Sequence, residues 1–219
     1  MLSMVLMETI LLDYLKATRL INADDDAIVA KKRELTRGID DPNEKARRIF
    51  YFVRDQIRYV FRTGASERAY RASMILNQGR GFCTQKAILF CSLARSCGIP
   101  AGIYFFDIAD HTLPQNVRQL LGSNILFWHG VTALSLNGNW FRFDATLDRK
   151  LVEKNKLISV EFDPNRDCLM SSITQNGTPH IEYIRDHGMV ADVSFQQISD
   201  RFQQSYPHLF PRRGQLFCS

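Results

Sequence analysis

Residues 81–101 read GFCTQKAILFCSLARSCGIPA, and the rest of the chain can be read as an arrangement around the cysteine near their start. Thr84 to Arg95 is rich in good helix formers and nearly free of charge, which predicts a buried helix beginning at or just after Cys83. Gly81 loosens the approach to it. Gly98, Ile99 and Pro100 match a glycine cap, a hydrophobic residue beyond it and a proline that cannot continue, so the helix should stop by about Cys97. A cysteine at a helix start sits beside unpaired backbone N–H groups and the positive end of the helix dipole, and both favour thiolate over thiol. A lone cysteine is also commonly no more than a small buried hydrophobe. Residues downstream decide between the two.

Ala101 to Ile108 (AGIYFFDI) predicts a strand, followed by a loop from Ala109 to Asn124 in which Pro114 to Leu121 can form a short helix. Ile125 to Leu136 is a second strand, Asn137-Gly138 a strong two-residue hairpin signal, and Asn139 to Ala145 a third strand. With that turn, Leu136 lies opposite Asn139, Val131 opposite Asp144 and His129 opposite Thr146. Side chains alternate with a period of two, so His129, Val131, Asp144 and Thr146 share one face, and His129 and Asp144 become diagonal neighbours with Cα atoms roughly 7 to 8 Å apart. An imidazole and a carboxylate can close that span. In a Cys-His-Asp arrangement the imidazole takes the thiol proton, the carboxylate orients the ring, and the thiolate attacks an acyl carbon to give an acyl-enzyme. The oxyanion would meet the backbone N–H of Cys83 and a second donor, for which Gln78 is the candidate. Trp140 shares the His129 face and is a candidate wall of the cleft, whereas Trp128 points to the other face and reads as core.

Upstream, residues 4 to 20 place apolar side chains near helical spacing and predict an N-terminal helix covering the core. The opening MLSMVLMETILL lacks a basic leader and a cleavage site, is interrupted by Glu8 and runs into Asp13 and Lys16, which implies a docked helix and a cytoplasmic protein without a membrane span. Asp24, Asp25 and Asp26 lack the alternating calcium-loop pattern and read as a helix start. Asp41-Pro42-Asn43-Glu44 supplies an N-cap, a proline at N1 and a Glu placed for a capping box, with a helix following to about Arg58 whose apolar stripe should pack on the Cys83 helix.

The five cysteines are an odd number in a chain of 219 residues, which argues against disulfide staples. On one helix Cys83 and Cys91 would lie ~12 Å apart, too far to bridge. The net charge of +5 comes from scattered Lys and Arg, so nucleic acid is not indicated as a partner. No metal site is expected, since His180 and His187 have no companion ligand at the right spacing. Asp110-His111 reads as a surface turn in a loop long enough to act as a lid. In the last third, Leu151 to Phe162 alternates Lys or Glu with aliphatic residues before a turn at Asp163-Pro164. Ile181 to Val193 can supply strands and Ser199 to Ser205 a short helix. Lys150 is the first place to look for a domain break.

Four blocks, YFVRDQIRYVF at 51–61, GFCTQKAILFCSLARSCGIPA at 81–101, WHGVTA at 128–133 and NWFRFDAT at 139–146, together resemble the transglutaminase-like superfamily. The resemblance covers about residues 45–147. It implies an α+β, papain-like core with the nucleophile helix packed on an antiparallel sheet and N-terminal helices. It gives Cys83 as nucleophile, His129 as base and Asp144 as the orienting acid. The expectation is one domain over 1–219, with its core at about 42–147, a helical cover at 1–41 and an extension at 148–219. The family's range implies a cysteine hydrolase or acyltransferase acting on an amide or peptide bond, with a peptide, protein or small amide as substrate and no cofactor. Its inactive members leave a non-catalytic interaction module as the alternative.

Overall fold

Asp25 and Asp41 each accept hydrogen bonds from the first turn of the helix that follows, Asp25 from Ala27 N and Asp41 from Asn43 N and Glu44 N. They start α1 (Asp26–Thr36) and α2 (Pro42–Gln56) in the computed structural model, which describes residues 11–61 and 66–210. Glu44 does not close a capping box. Its carboxylate turns outward to Arg47 and Arg48, because two guanidiniums one turn along the same face offer stronger, charge-assisted partners than a backbone N–H.

After a two-residue strand β1 (Arg58–Tyr59) come α3 (Ala72–Gln78), β2 (Arg80–Gly81), parallel to β1, and α4 (Cys83–Ser96). Every α4 residue from Cys83 to Arg95 is buried. Its end follows the expected glycine cap: Gly98 has φ +76°, its N–H donates to Arg95 O, and Ile99 N–H reaches back to Ala94 O, the paired bonds of a Schellman motif. Helix α2 lays Ala46, Ile49, Phe50 and Val53 against α4, with the Phe50 and Phe90 rings 6.1 Å apart.

The main sheet holds β3 (Ala101–Asp110), β4 (Ile125–Leu136), β5 (Asn139–Phe143) and β6 (Ile181–Val190), in the antiparallel order β5-β4-β3-β6. Helix α4 packs on β4 and β3. Between β3 and β4 runs α5 (Gln115–Leu121). Asp148 caps α6 (Arg149–Lys154), and Ser194 with Gln197 forms a capping box on α7 (Phe195–Ser205). The hairpin register matches the two-residue turn, with Leu136 opposite Asn139 and Thr132 opposite Phe143. Phe143 is the last paired residue, two short of the expected strand end. On the edge of β5 away from β4, Asp144 N–H donates to Cys168 O and Cys168 N–H to Arg142 O, so a distant segment covers the end of that strand.

The N-terminal helix expected over 4–20 differs too. Residues 11–13 are helical and the chain then turns; the expected positions before Leu11, including Val5 and Ile10, lie outside the described residues. Tyr14 O instead accepts from Ala101 N–H and Lys16 O from the buried Arg95, so those carbonyls serve the core in place of a helix ladder. Near Lys150 the chain does pass out of the sheet, but β6 returns to pair with β3 from Ile103 to Asp110. No described helix is long and apolar enough to cross a membrane.

Candidate active site

Cys83 is the first residue of α4, and three side chains of that helix's opening turn, with two glycines packed against them, fix it in place. Gln85 accepts from Phe82 N–H through Oε1 and donates through Nε2 to Ala69 O at 2.8 Å. Gly81 lies so close to Gln85 that an added Cβ would come within 3.0 Å of its Cβ. Lys86, buried, donates to Arg54 O at 3.0 Å and Thr146 O at 2.7 Å. Thr84 packs against Gly130, where an added Cβ would lie 3.1 Å from Thr84 Cα. The helix start is thereby tied to α2, to β4 and to the segment after β5.

His129 and Asp144 are each 1% exposed, and His129 Nε2 lies 2.7 Å from Asp144 Oδ2. Asp144 Oδ1 accepts from Thr146 N–H at 3.0 Å. Burial would raise the Asp144 pKa, but the imidazolium charge and these hydrogen bonds hold it below the ordinary value. With Nε2 on the carboxylate, Nδ1 is the nitrogen left for Cys83. Burial pushes the Cys83 thiol up; the His129 charge, a hydrogen bond to the imidazole and others from Gly130 N–H and Thr84 outweigh it, and the thiol ends below its ordinary 9.0. Burial lowers the His129 pKa, and the Asp144 and Cys83 charges more than reverse this, raising it to about 10. Thiolate and imidazolium therefore stabilise each other in a buried site.

The backbone just before His129 is unusual. Trp128 has φ +55°, a conformation costly for a bulky residue and concentrated at functional sites. Asp107 holds it by accepting from Trp128 N–H at 3.0 Å, and Phe105 stacks on the indole with ring centroids 4.4 Å apart. Trp128 is half-buried, with Arg201 over its ring, so it belongs only partly to the core expected of it.

Residues 29–145, more than half of the chain, match the sequence profile of the transglutaminase-like superfamily. The chain belongs to that superfamily. Among solved structures, it is similar to a "putative cysteine protease" from Cytophaga hutchinsonii, at 18% identity and a TM-score of 0.48, over 84% of this chain and 57% of that one. It is also similar to a "putative protease" from Parabacteroides distasonis, at 12% identity and a TM-score of 0.38, over 58% of this chain and 26% of that one. The chain thus spans well under two thirds of either neighbour. No curated protein matches it.

Within this transglutaminase-like fold the two peripheral candidates lie elsewhere than expected. Gln78 is exposed on the last turn of α3 and does not line the cavity beside His129. Trp140 is 37% exposed and packs on Tyr14, ring centroids 4.8 Å apart. It shares the parity of His129 but stands opposite Ser135, six residues and roughly 20 Å along β4 from His129, and it does not line the cavity beside His129. Tyr59 does line that cavity. Burial, and after it the negative charges of Cys83, Asp110 and Asp144, keep its hydroxyl protonated well above the usual range.

The cavity has a volume of about 280 Å³. Its walls combine β1, the end of β3, the start of α5, β4 at His129, and, from the last third, α6 and Met170. Asp110, read as part of a surface turn, is on that wall. His111 faces Glu182 at 3.5 Å, and His187 Nε2 lies 2.9 Å from Asp107.

Proposed function

We propose that the protein is a cysteine-dependent hydrolase of amide or peptide bonds that works through an acyl-enzyme on Cys83, and the observation that carries this is the buried His129–Asp144 hydrogen bond beside a thiol of lowered pKa at a helix start. His129 takes the Cys83 proton at Nδ1, and Asp144 fixes the ring and stabilises its charge. The thiolate attacks the amide carbon, and the oxyanion meets the Cys83 backbone N–H, an unpaired first-turn donor. The second donor in this reading is the Tyr59 hydroxyl, replacing Gln78. The imidazolium then protonates the departing nitrogen, and water releases the acid. A non-catalytic interaction module is the competing reading, favoured by the burial of Cys83, which is 8% exposed.

Brief iodoacetamide labelling with peptide mapping from pH 5 to 10 tests the proposal. Cys83 should react at pH 6 and lose reactivity only as pH falls through its lowered thiol pKa. Cys91, whose thiol burial pushes up to about 11, should need strongly alkaline conditions. Cys83→Ala should abolish turnover in a peptide and amide screen. Equal labelling of all the cysteines, or turnover that survives Cys83→Ala, sinks the proposal.

A further inference from the structure

The cavity beside His129 is walled by the imidazole but not by Cys83. In the acyl-enzyme reading, on which this inference rests, the imidazolium gives its proton to the nitrogen that leaves. Whatever is bonded to that nitrogen therefore lies on the imidazole's side of the thiol, where this cavity is. Its lining is mainly apolar, with Leu113, Val117, Leu126, Leu151 and Met170 among the contributors. Among the described residues no Lys or Arg lines it, and its one carboxylate is Asp110. Asp110 Oδ1 accepts from Thr112 N–H and Thr112 Oγ1, both at 2.8 Å, while Oδ2 has no hydrogen-bond partner among the described residues. The imidazolium of His129 is already paired with Asp144 and Cys83, so an anion placed here would meet the Asp110 carboxylate without a free cation to offset it, in surroundings of low dielectric.

We infer that this cavity binds the amine-derived half of the substrate, and that it selects a large apolar group, neutral or cationic, on the leaving nitrogen. The volume suits one large side chain and falls just short of the range of sites for drug-sized ligands. The last third of the chain thereby contributes to selectivity, since Leu151 and Met170 come from it.

Microscopic reversibility allows a test without a known substrate. Cys83 is acetylated with p-nitrophenyl acetate, and loss of the acetyl group is followed by intact mass in the presence of amines compared at equal free-base concentration. The amine nitrogen attacks the thioester carbon, the N–C bond forms and the C–S bond breaks. The nitrogen's proton passes to His129, restoring the thiolate–imidazolium pair. Leucinamide should accelerate deacetylation about tenfold or more over glycinamide, the discrimination expected of a well-filled apolar pocket. Leucine, with its free carboxylate, should be slower than leucinamide, and Asp110→Asn should narrow that gap. Val117→Trp fills the cavity and should bring leucinamide to within about twofold of glycinamide, with Leu113→Trp as the second variant if the first does not fold. Glycinamide matching leucinamide, or a preference that survives a folded filling variant, overturns the assignment of the cavity alone. A Cys83 that never takes up acetyl overturns the acyl-enzyme reading, and this inference with it.

Discussion

Gly130→Ala probes how closely the helix must approach the strand for Cys83 to be activated. The added methyl would stand 3.1 Å from Thr84 Cα, 3.2 Å from Thr84 Oγ1 and 3.4 Å from Phe105 Cε1. Carbon atoms rest at about 3.5–4.0 Å, so the contact must open by roughly 0.5 Å. At Gly130 strand β4 is held by β3, opposite Phe105, whereas Thr84 lies at a helix end, so the movement falls on Thr84 and its neighbour Cys83. The thiol then retreats from His129 and from Gly130 N–H together. Overpacking of this kind costs about 1–3 kcal/mol of stability. A displacement of about 1 Å costs on the order of a hundredfold in rate, so half of it should slow Cys83 alkylation about tenfold. The assay is the second-order rate with iodoacetamide at pH 6, beside a thermal melt by circular dichroism. A folded Gly130→Ala protein that melts lower but alkylates within twofold of the parent rate would refute the argument that this contact sets the thiol–imidazole distance.

Inserting one residue into the Asn137-Gly138 turn should rotate Asp144 away from His129 and abolish Cys83 labelling at pH 6 while the circular dichroism spectrum is retained; an insertion variant that still labels at the parent rate contradicts the register argument. Lys86→Met keeps the buried stem but leaves Arg54 O and Thr146 O without their donor, and should cost roughly 2 to 6 kcal/mol in a denaturant melt, at about 1–3 per abandoned acceptor. Burial lowers the Lys86 pKa to about 7, so between about 7 and the unfolded 10.5 the unfolded chain binds more protons at this site. The stability advantage of the parent over Lys86→Met should therefore widen as pH rises through that window, and an advantage that shrinks there would show that Lys86 is held charged.

What could be read in advance was whatever neighbours in sequence decide. The end of α4 is written in Gly98 and Pro100, and the hairpin in Asn137 and Gly138, because cap and turn conformations depend on a few adjacent residues. Parity likewise put His129 and Asp144 on one face. It fixes a face and not a position along it, which is why Trp140 was assigned to a cleft that it stands far from. The end of β5 depends on Cys168, far along the chain, and the unwinding after residue 13 depends on Arg95 and Ala101. Tyr59 carried a faint signal, a tyrosine in the short extended run after α2, but only the folded chain brings it beside His129. The same holds for Lys86, which in sequence is one charged residue in an apolar helix.

The strand order β5-β4-β3-β6 has a consequence for how the protein is made. When a ribosome has released the Cys83 helix and the hairpin, β3 still lacks the neighbour on its outer edge, and Arg95 lacks Ala191 O, one of the three carbonyls it binds. During that interval the nascent chain presents an apolar strand edge, with Ile103 and Phe105 on it, able to pair with another copy. Completion waits for residues 181–190, a long loop closure of the kind that slows folding. Cys83, His129 and Asp144 are thus synthesised early and secured late, so truncation or stalling before β6 should yield an aggregating chain and not a smaller folded one.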